Sequence, residues 1–295
     1  MKMHHLTALI AIADAGSFTG AAASLEISQS SLSHAIADLE AELGVPLLLR
    51  GRQGARLTEV GGRAVTHARQ AMAAVESIRG EAASARGMLS GRVRIGAIPS
   101  VAVALLPKIV AHLRRQHPGI EVVLLEESSQ GMQQLLEWLR NGTIDIAVLE
   151  LPLPDTKAVP LLDDEYCAIV AASSQLAKRR QLAIRELAAE PFVTSRYVSE
   201  RLVYPAYAAQ NVAPNVKFDV QDLATVVSLV REGLGVSAVP RIAFPETPPG
   251  VTLLPLVPRI RRQLGFALHS WDHRSPALSA FISALRELSA GARRH

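Results

Sequence analysis

Gly16-Ser17-Phe18-Thr19-Gly20-Ala21-Ala22-Ala23-Ser24-Leu25-Glu26-Ile27-Ser28-Gln29-Ser30-Ser31-Leu32-Ser33-His34 decides the fold of the N-terminal third. Gly16 stops a helix begun upstream, where Leu6, Leu9, Ile10 and Ala13 recur at helical spacing. Ser17 suits the N-cap of a short helix, Phe18 to Leu25. Its three alanines let another helix pack closely. After a break at Glu26-Ile27, Ser28 caps a third helix from Gln29 to Leu43, ended by Gly44 with Pro46 just beyond.

The third helix has two faces. Leu32, Ile36, Leu39 and Leu43 follow at intervals of four, three and four, an apolar stripe. Opposite them stand Gln29, Ser30, Ser33 and His34, beside the capping Ser28. These side chains donate and accept hydrogen bonds and suit base edges and phosphates in a major groove. The helix N-terminus favours a phosphate as well. A plain solvated face reads equally from these residues alone. Next, Leu47 to Arg50 and Ala55 to Thr58 read as two strands around Gly51-Arg52-Gln53-Gly54. Arg50, Arg52 and Arg56 lie in this stretch, with no acid between residues 45 and 58. A basic hairpin after two such helices suits DNA backbone and minor groove.

Taken together, these residues resemble the DNA-binding head of LysR-type transcriptional regulators. Gly16 to Thr19 with Ala21, Ala22 and Leu25 matches that family's second helix, and Ser28 to Ser33 its recognition-helix entry. Leu39-Glu40, Leu43-Gly44, Arg50, Leu57-Thr58 and Gly61 continue the pattern in order. Ser30 stands where the family often has proline, Leu48 where it has phenylalanine and Val60 where it has alanine. These departures bear on which DNA sequence is preferred. The resemblance implies that Ser28, Gln29, Ser30, Ser33, His34, Arg50, Arg52 and Arg56 contact double-stranded DNA.

Charge alone does not reach that conclusion. The net charge is +4, yet residues 1–90 hold eight Lys/Arg and eight Asp/Glu. A single cysteine, Cys167, excludes an intramolecular disulfide and a two-cysteine redox switch. No run of eighteen apolar residues exists and Met1 to His5 carries no leader pattern, so a cytoplasmic protein is expected. No metal or cofactor is expected, because His112 and His117 lack a third ligand nearby in sequence.

Residues 59–88 read as one helix, capped by Thr58. Ala64, Ala68, Ala71, Val75, Ile78 and Ala82, flanked by Met72, make a heptad-like seam. That seam needs a partner, either the chain's own domain or a second copy; the resemblance implies a second copy. Gly87 to Gly91 reads as a hinge.

From 91 on, strands and helices alternate. The pattern predicts strands at 92–96, 120–125 and 144–149, one helix from Val101 to Gln116, and a helix opened by Ser128-Ser129 and ended at Asn141-Gly142. That order implies a mostly parallel sheet. Glu165 to Ala171, Val236 to Val239 and Leu264 to Ser270 read as further strands, with helices after Asp222 and over 276–289. The resemblance implies a type-2 periplasmic-binding-protein-like α/β domain of two subdomains, about 91–162 with 268–295, and about 163–267. The family's matching effector positions are Ser100, Ser128, Ser129 and Thr194, with Arg196 and Phe218 as further cleft candidates. Hydroxyls at helix starts are also ordinary caps.

The expectation is therefore a homodimer, assembling further to a homotetramer, on an inverted-repeat operator. A small effector, an anion on the helix-start argument, closes the cleft, and RNA polymerase is the partner at the promoter. A hydrolase is disfavoured by the lack of a G-x-S-x-G context. A solute receptor would suit residues 91–295 but not the head.

Overall fold

The computed structural model describes residues 1–51, 54–86, 88–126, 131–195, 198 and 201–292, without the side chains of 50, 51, 54, 84, 291 and 292. Caps set the first three helices. α1 (Met3–Ala15) ends where Gly16 turns to φ +64° and its N–H bonds the Ile12 carbonyl at 2.9 Å. Ser17 Oγ accepts from the Gly20 N–H and opens α2 (Phe18–Ser24). Ser28 Oγ accepts from the Ser31 N–H and opens α3 (Gln29–Leu43), which Gly44 closes at φ +70°. Leu32, Ile36 and Leu39 are buried against Leu9, Ile12, Ala21 and Ala22. Leu43, expected on that stripe, is 45% exposed.

The hairpin β1 (Leu48–Gly51) and β2 (Gly54–Leu57) is antiparallel, with Leu48 opposite Leu57. Thr58 Oγ1 then accepts from the Gly61 N–H and opens α4 (Glu59–Ser84). One side of α4 packs on its own chain through Gly61, Val65, Ala68, Arg69, Gly80 and Ala83. Of the expected seam, only Ala68 is buried; Ala71, Ile78 and Ala82 are exposed.

β3 (Ser90–Ala97) starts inside the stretch expected as a hinge; Gly87 itself lies outside the described residues. The single helix expected over 101–116 is two, α5 (Pro99–Ala104) and α6 (Leu106–Gln116). Pro107 has no N–H to continue the ladder and crowds the carbonyl four residues back, so the helix breaks at Leu105. Then come β4 (Gly119–Leu125), α7 (Met132–Arg140), β5 (Ile146–Leu151) and the long β6 (Ala158–Ala171). Five short pieces follow: β7 (Leu182–Ala183), α8 (Ile184–Ala189), β8 (Pro191–Ser195), α9 (Val203–Ala208) and β9 (Asn215–Val220). The chain ends with α10 (Leu223–Arg231), β10 (Ser237–Pro240), the eighteen-residue β11 (Val251–Leu268) and α11 (Pro276–Ala292).

The main sheet runs β10-β6-β11-β5-β3-β4, with β7 added to β11. It is mixed, not mostly parallel. β4, β3 and β5 are parallel, as two β-α-β units require, whereas β11 returns antiparallel to both β5 and β6. β6 and β11 serve two cores. Leu161, Leu162, Leu264 and Phe266 pack with Ile95, Val148 and Phe281. Tyr166, Ala168, Leu254 and Ile260 pack with Phe192, Val203 and Tyr207. The change of core falls where Asp163, Asp164 and Glu165 lie opposite Gln263, Arg262 and Arg261.

Candidate DNA-binding face and effector cleft

α3 brings the expected DNA-reading residues to one end of the head. Ser28, Gln29, Ser30 and His34 are exposed, and Ser33 is half-buried on the same first turns. Ser28 Oγ lies 2.8 Å from Ser30 Oγ and 2.7 Å from Ser31 Oγ, so the cap also orders its neighbours' hydroxyls. Gln29 Oε1 accepts from Thr19 Oγ1 at 3.5 Å, across the turn to α2. Arg56 is exposed on β2. Arg50 belongs to β1 opposite Ala55, but its side chain, like Arg52, lies outside what the structure describes.

One positioning group was not read from sequence. Glu40 Oε1 accepts from the backbone N–H groups of Leu47, at 2.6 Å, and Leu48, at 3.1 Å. A carboxylate on α3 thereby fixes where the hairpin leaves the helix. Ala55 N–H reaches the Gly16 carbonyl at 3.1 Å and ties the other strand to the α1–α2 turn. Helix end and hairpin are held as one face. Glu40 was visible only as part of Leu39-Glu40; its role needs the fold.

In the second half, Ser100 is buried in α5, and its Oγ accepts from Arg262 Nη2 at 2.8 Å. Arg262, its side chain 3% exposed, also pairs with Asp164 at 2.7 Å and lies 3.8 Å from Glu150 Oε2. Its guanidinium sits 5.2 Å from the Tyr166 ring centroid. Asp164 Oδ1 in turn accepts from the Ile242 N–H at 3.0 Å. Ser100 is therefore part of a buried charged cluster that sequence reading did not find. Its members come from α5, β5, β6 and β11. The only signal was the two charge blocks, 163–165 and 259–262, whose pairing depends on strand register.

Thr194 is the penultimate residue of β8, with its Oγ1 3.0 Å from the Tyr204 hydroxyl. Phe218 lies directly across from Val193 on the parallel strand β9, and both pack towards Val226 and Val230 of α10. Side chains alternate along a strand, so Thr194 and Phe218 face opposite sides of this small sheet. Ser128, Ser129 and Arg196 lie outside the described residues. Cys167 is buried in β6; burial, then the negative charge of Glu165, pushes its thiol up from 9.0 to about 12. Among the described residues no three His, Cys, Asp or Glu could hold a metal ion, and no single helix is long and apolar enough to cross a membrane.

Residues 3–62 match the family described as bacterial regulatory helix-turn-helix protein, lysR family, and residues 86–290 match the LysR substrate binding domain. A probable HTH-type transcriptional regulator, LrrA of Synechococcus elongatus, is 33% identical over 289 residues, 97% of each chain. A full-length OxyR variant from Pseudomonas aeruginosa shares the fold at a TM-score of 0.73 and 24% identity, covering 98% of this chain and 94% of that one. A Corynebacterium glutamicum OxyR mutant solved with hydrogen peroxide bound superposes at 0.62 and 27% identity, covering 99% and 94%.

Proposed function

The chain belongs to the LysR family of transcriptional regulators, a DNA-binding head joined to an effector-binding domain and not an enzyme; from that premise we propose how it works. Two copies pair along the exposed face of α4. Two such pairs meet through effector domains as a tetramer, for which the groove of Ala102, Leu106, Val110, Val122 and Leu124 beside the sheet-edge strand β4 is a suitable surface. Each pair sets two α3 helices into successive major grooves of an inverted repeat. Ser28, Gln29, Ser30, Ser33 and His34 read bases and phosphates, and Arg50, Arg52 and Arg56 hold the backbone.

A small molecule with an anionic group enters between the subdomains near Ser100, Ser128, Ser129, Thr194 and Arg196. We propose the subdomain border in β11 at Arg262–Gln263 rather than between 267 and 268, since Leu264 and Phe266 pack in the first core. The effector shifts the balance of subdomain arrangements and with it the angle between heads and the bend of the DNA. RNA polymerase at a neighbouring promoter reads that change, in the cytoplasm. Thiol-based peroxide sensing does not fit. It needs an accessible thiolate, and Cys167 is buried with its pKa raised to about 12.

The observation that carries the reading is the capped α3, its polar first turns exposed beside an arginine-bearing hairpin. The test is a gel shift with nuclease footprinting of the purified chain on DNA from just upstream of its own gene, at physiological salt with excess competitor. A protected, dyad-symmetric site of several helical turns is expected. Binding that competitor DNA removes entirely would overturn it.

A further inference from the structure

Arg69 stands mid-way along α4 and touches both halves of the molecule. Its Nη2 donates to Asp14 Oδ1 of α1, in the head. The Arg69 side chain is 6% exposed and that of Asp14 52%, so the pair is buried on the arginine side only. The effector domain approaches the base of the arginine stem. A Cβ at Gly142, in the turn after α7, would lie 3.4 Å from Arg69 Cβ and 3.3 Å from the His269 ring. His269 Nδ1 is 2.7 Å from the Leu139 carbonyl, and the His269 backbone N–H bonds the Asp145 carbonyl at 3.0 Å, so this residue ties both sides of the turn together. One further contact holds α4 down: a Cβ at Gly80 would be 3.4 Å from Pro276 Cδ and 3.5 Å from the Ser90 carbonyl. Between the two contacts runs a crevice of about 640 Å³ lined by Arg69, Glu76, Arg79, Arg92, Arg94 and Asp145.

This contact is poorly satisfied. Among the described residues the buried Nε of Arg69 has no hydrogen-bond partner. A desolvated cation with one half-exposed carboxylate and one idle donor recovers only part of its hydration. If the effector domain draws back, Arg69 regains water and still keeps Asp14. Withdrawal of the effector domain therefore costs little at Arg69 itself, which is where a switch between two arrangements can act.

We propose that Arg69 couples the DNA-binding head to the effector domain, carrying the position of the Gly142 turn to Asp14 and α1. The inference rests on the regulator reading above and adds the residue through which regulation passes. α7 leads into that turn: it runs from Met132 to Arg140 and ends at the turn against Arg69, and its nine residues span about 13 Å.

Coupling is reciprocal, so DNA bound at the head must be felt at the Gly142 turn. The experiment is amide hydrogen exchange of the full chain, with and without a duplex carrying its footprinted upstream site. No effector is needed. In the wild-type chain, DNA is expected to change exchange several-fold at residues 141–145 and at His269. In Arg69→Met, which keeps the aliphatic stem, that response disappears while specific DNA binding persists. Asp14→Asn, at a half-exposed site that does not endanger folding, is expected to weaken it too, and stands in if Arg69→Met fails to fold. Specific DNA binding with unchanged exchange at 141–145 overturns the coupling alone, as does a full response in both variants. Absence of specific binding by the wild-type chain overturns the regulator reading and this inference with it.

Discussion

A Cβ placed on Gly61 would stand 2.0 Å from the Leu47 carbonyl oxygen, whereas at Gly62 it would meet nothing within 4 Å. The Leu47 carbonyl already accepts from the Thr58 N–H at 2.9 Å, so it is pinned at the junction of hairpin and α4. Helix propensity alone favours alanine at both positions, by about 1 kcal/mol. Packing reverses the sign at one of them. Gly61→Ala is expected to destabilise the head by about 1–3 kcal/mol, and Gly62→Ala to stabilise it by up to about 1 kcal/mol. Urea unfolding with specific DNA binding as a second readout separates the two; equal effects would mean that the hairpin base yields freely. The sequence marks Gly61 only as part of a resemblance. That it is a close approach of backbone to backbone needs coordinates.

Elements were legible in proportion to how locally they are decided. α3 begins and ends where Ser28 and Gly44 place it, since cap and left-handed stop act within one turn. α10 follows Asp222 for the same reason, the carboxylate accepting from the Thr225 N–H at 2.8 Å. By contrast β8, β9, α8 and α9 are five or six residues each, and β8, α8 and α9 exist because Phe192, Val193, Leu187 and Tyr207 are buried by distant partners. Only α8 carries a local signal, Glu186 accepting from the Ala183 N–H at 3.0 Å. α4 is the intermediate case: its length was readable, its sidedness was not. One apolar side is used within the chain, while Ile78 stays 69% exposed. Burying an isoleucine contributes about 1.5–3 kcal/mol, and a symmetric pair buries two. Ile78→Glu is therefore expected to leave the monomer's melting temperature unchanged and to raise the dimer dissociation constant about a hundredfold or more. Analytical ultracentrifugation measures it; an unchanged dimer would remove α4's exposed face as the pairing surface.

At the scale of the whole molecule, the effector domain is two cores threaded on the same two strands, β6 and β11, and Arg262 sits where they change over. Its partner Asp164 is 98 residues away in sequence and 2.7 Å away in space. No spacing rule could have joined them, and this is why the cluster around Ser100 escaped a reading that found Ser100 itself. Burial of the pair is nearly complete, at 3% and 5% side-chain exposure. Their mutual attraction mainly offsets the cost of removing both charges from water, so the pair is dear to break and cheap to replace. Arg262→Met leaves the buried Asp164 carboxylate with the Ile242 N–H in place of a guanidinium, and is expected to cost about 3–5 kcal/mol. Adding Asp164→Leu should restore most of that loss, although each change removes a native contact. Thermal unfolding of both singles and the double measures the coupling. If the double were as unstable as the two losses added together, the coupling would be zero and the two residues would act independently. If the single were neutral, the crossing would not depend on Arg262, and the two cores would be joined by backbone pairing alone. Specific DNA binding should survive in the double variant, because every group that shapes α3 and its hairpin lies in the head.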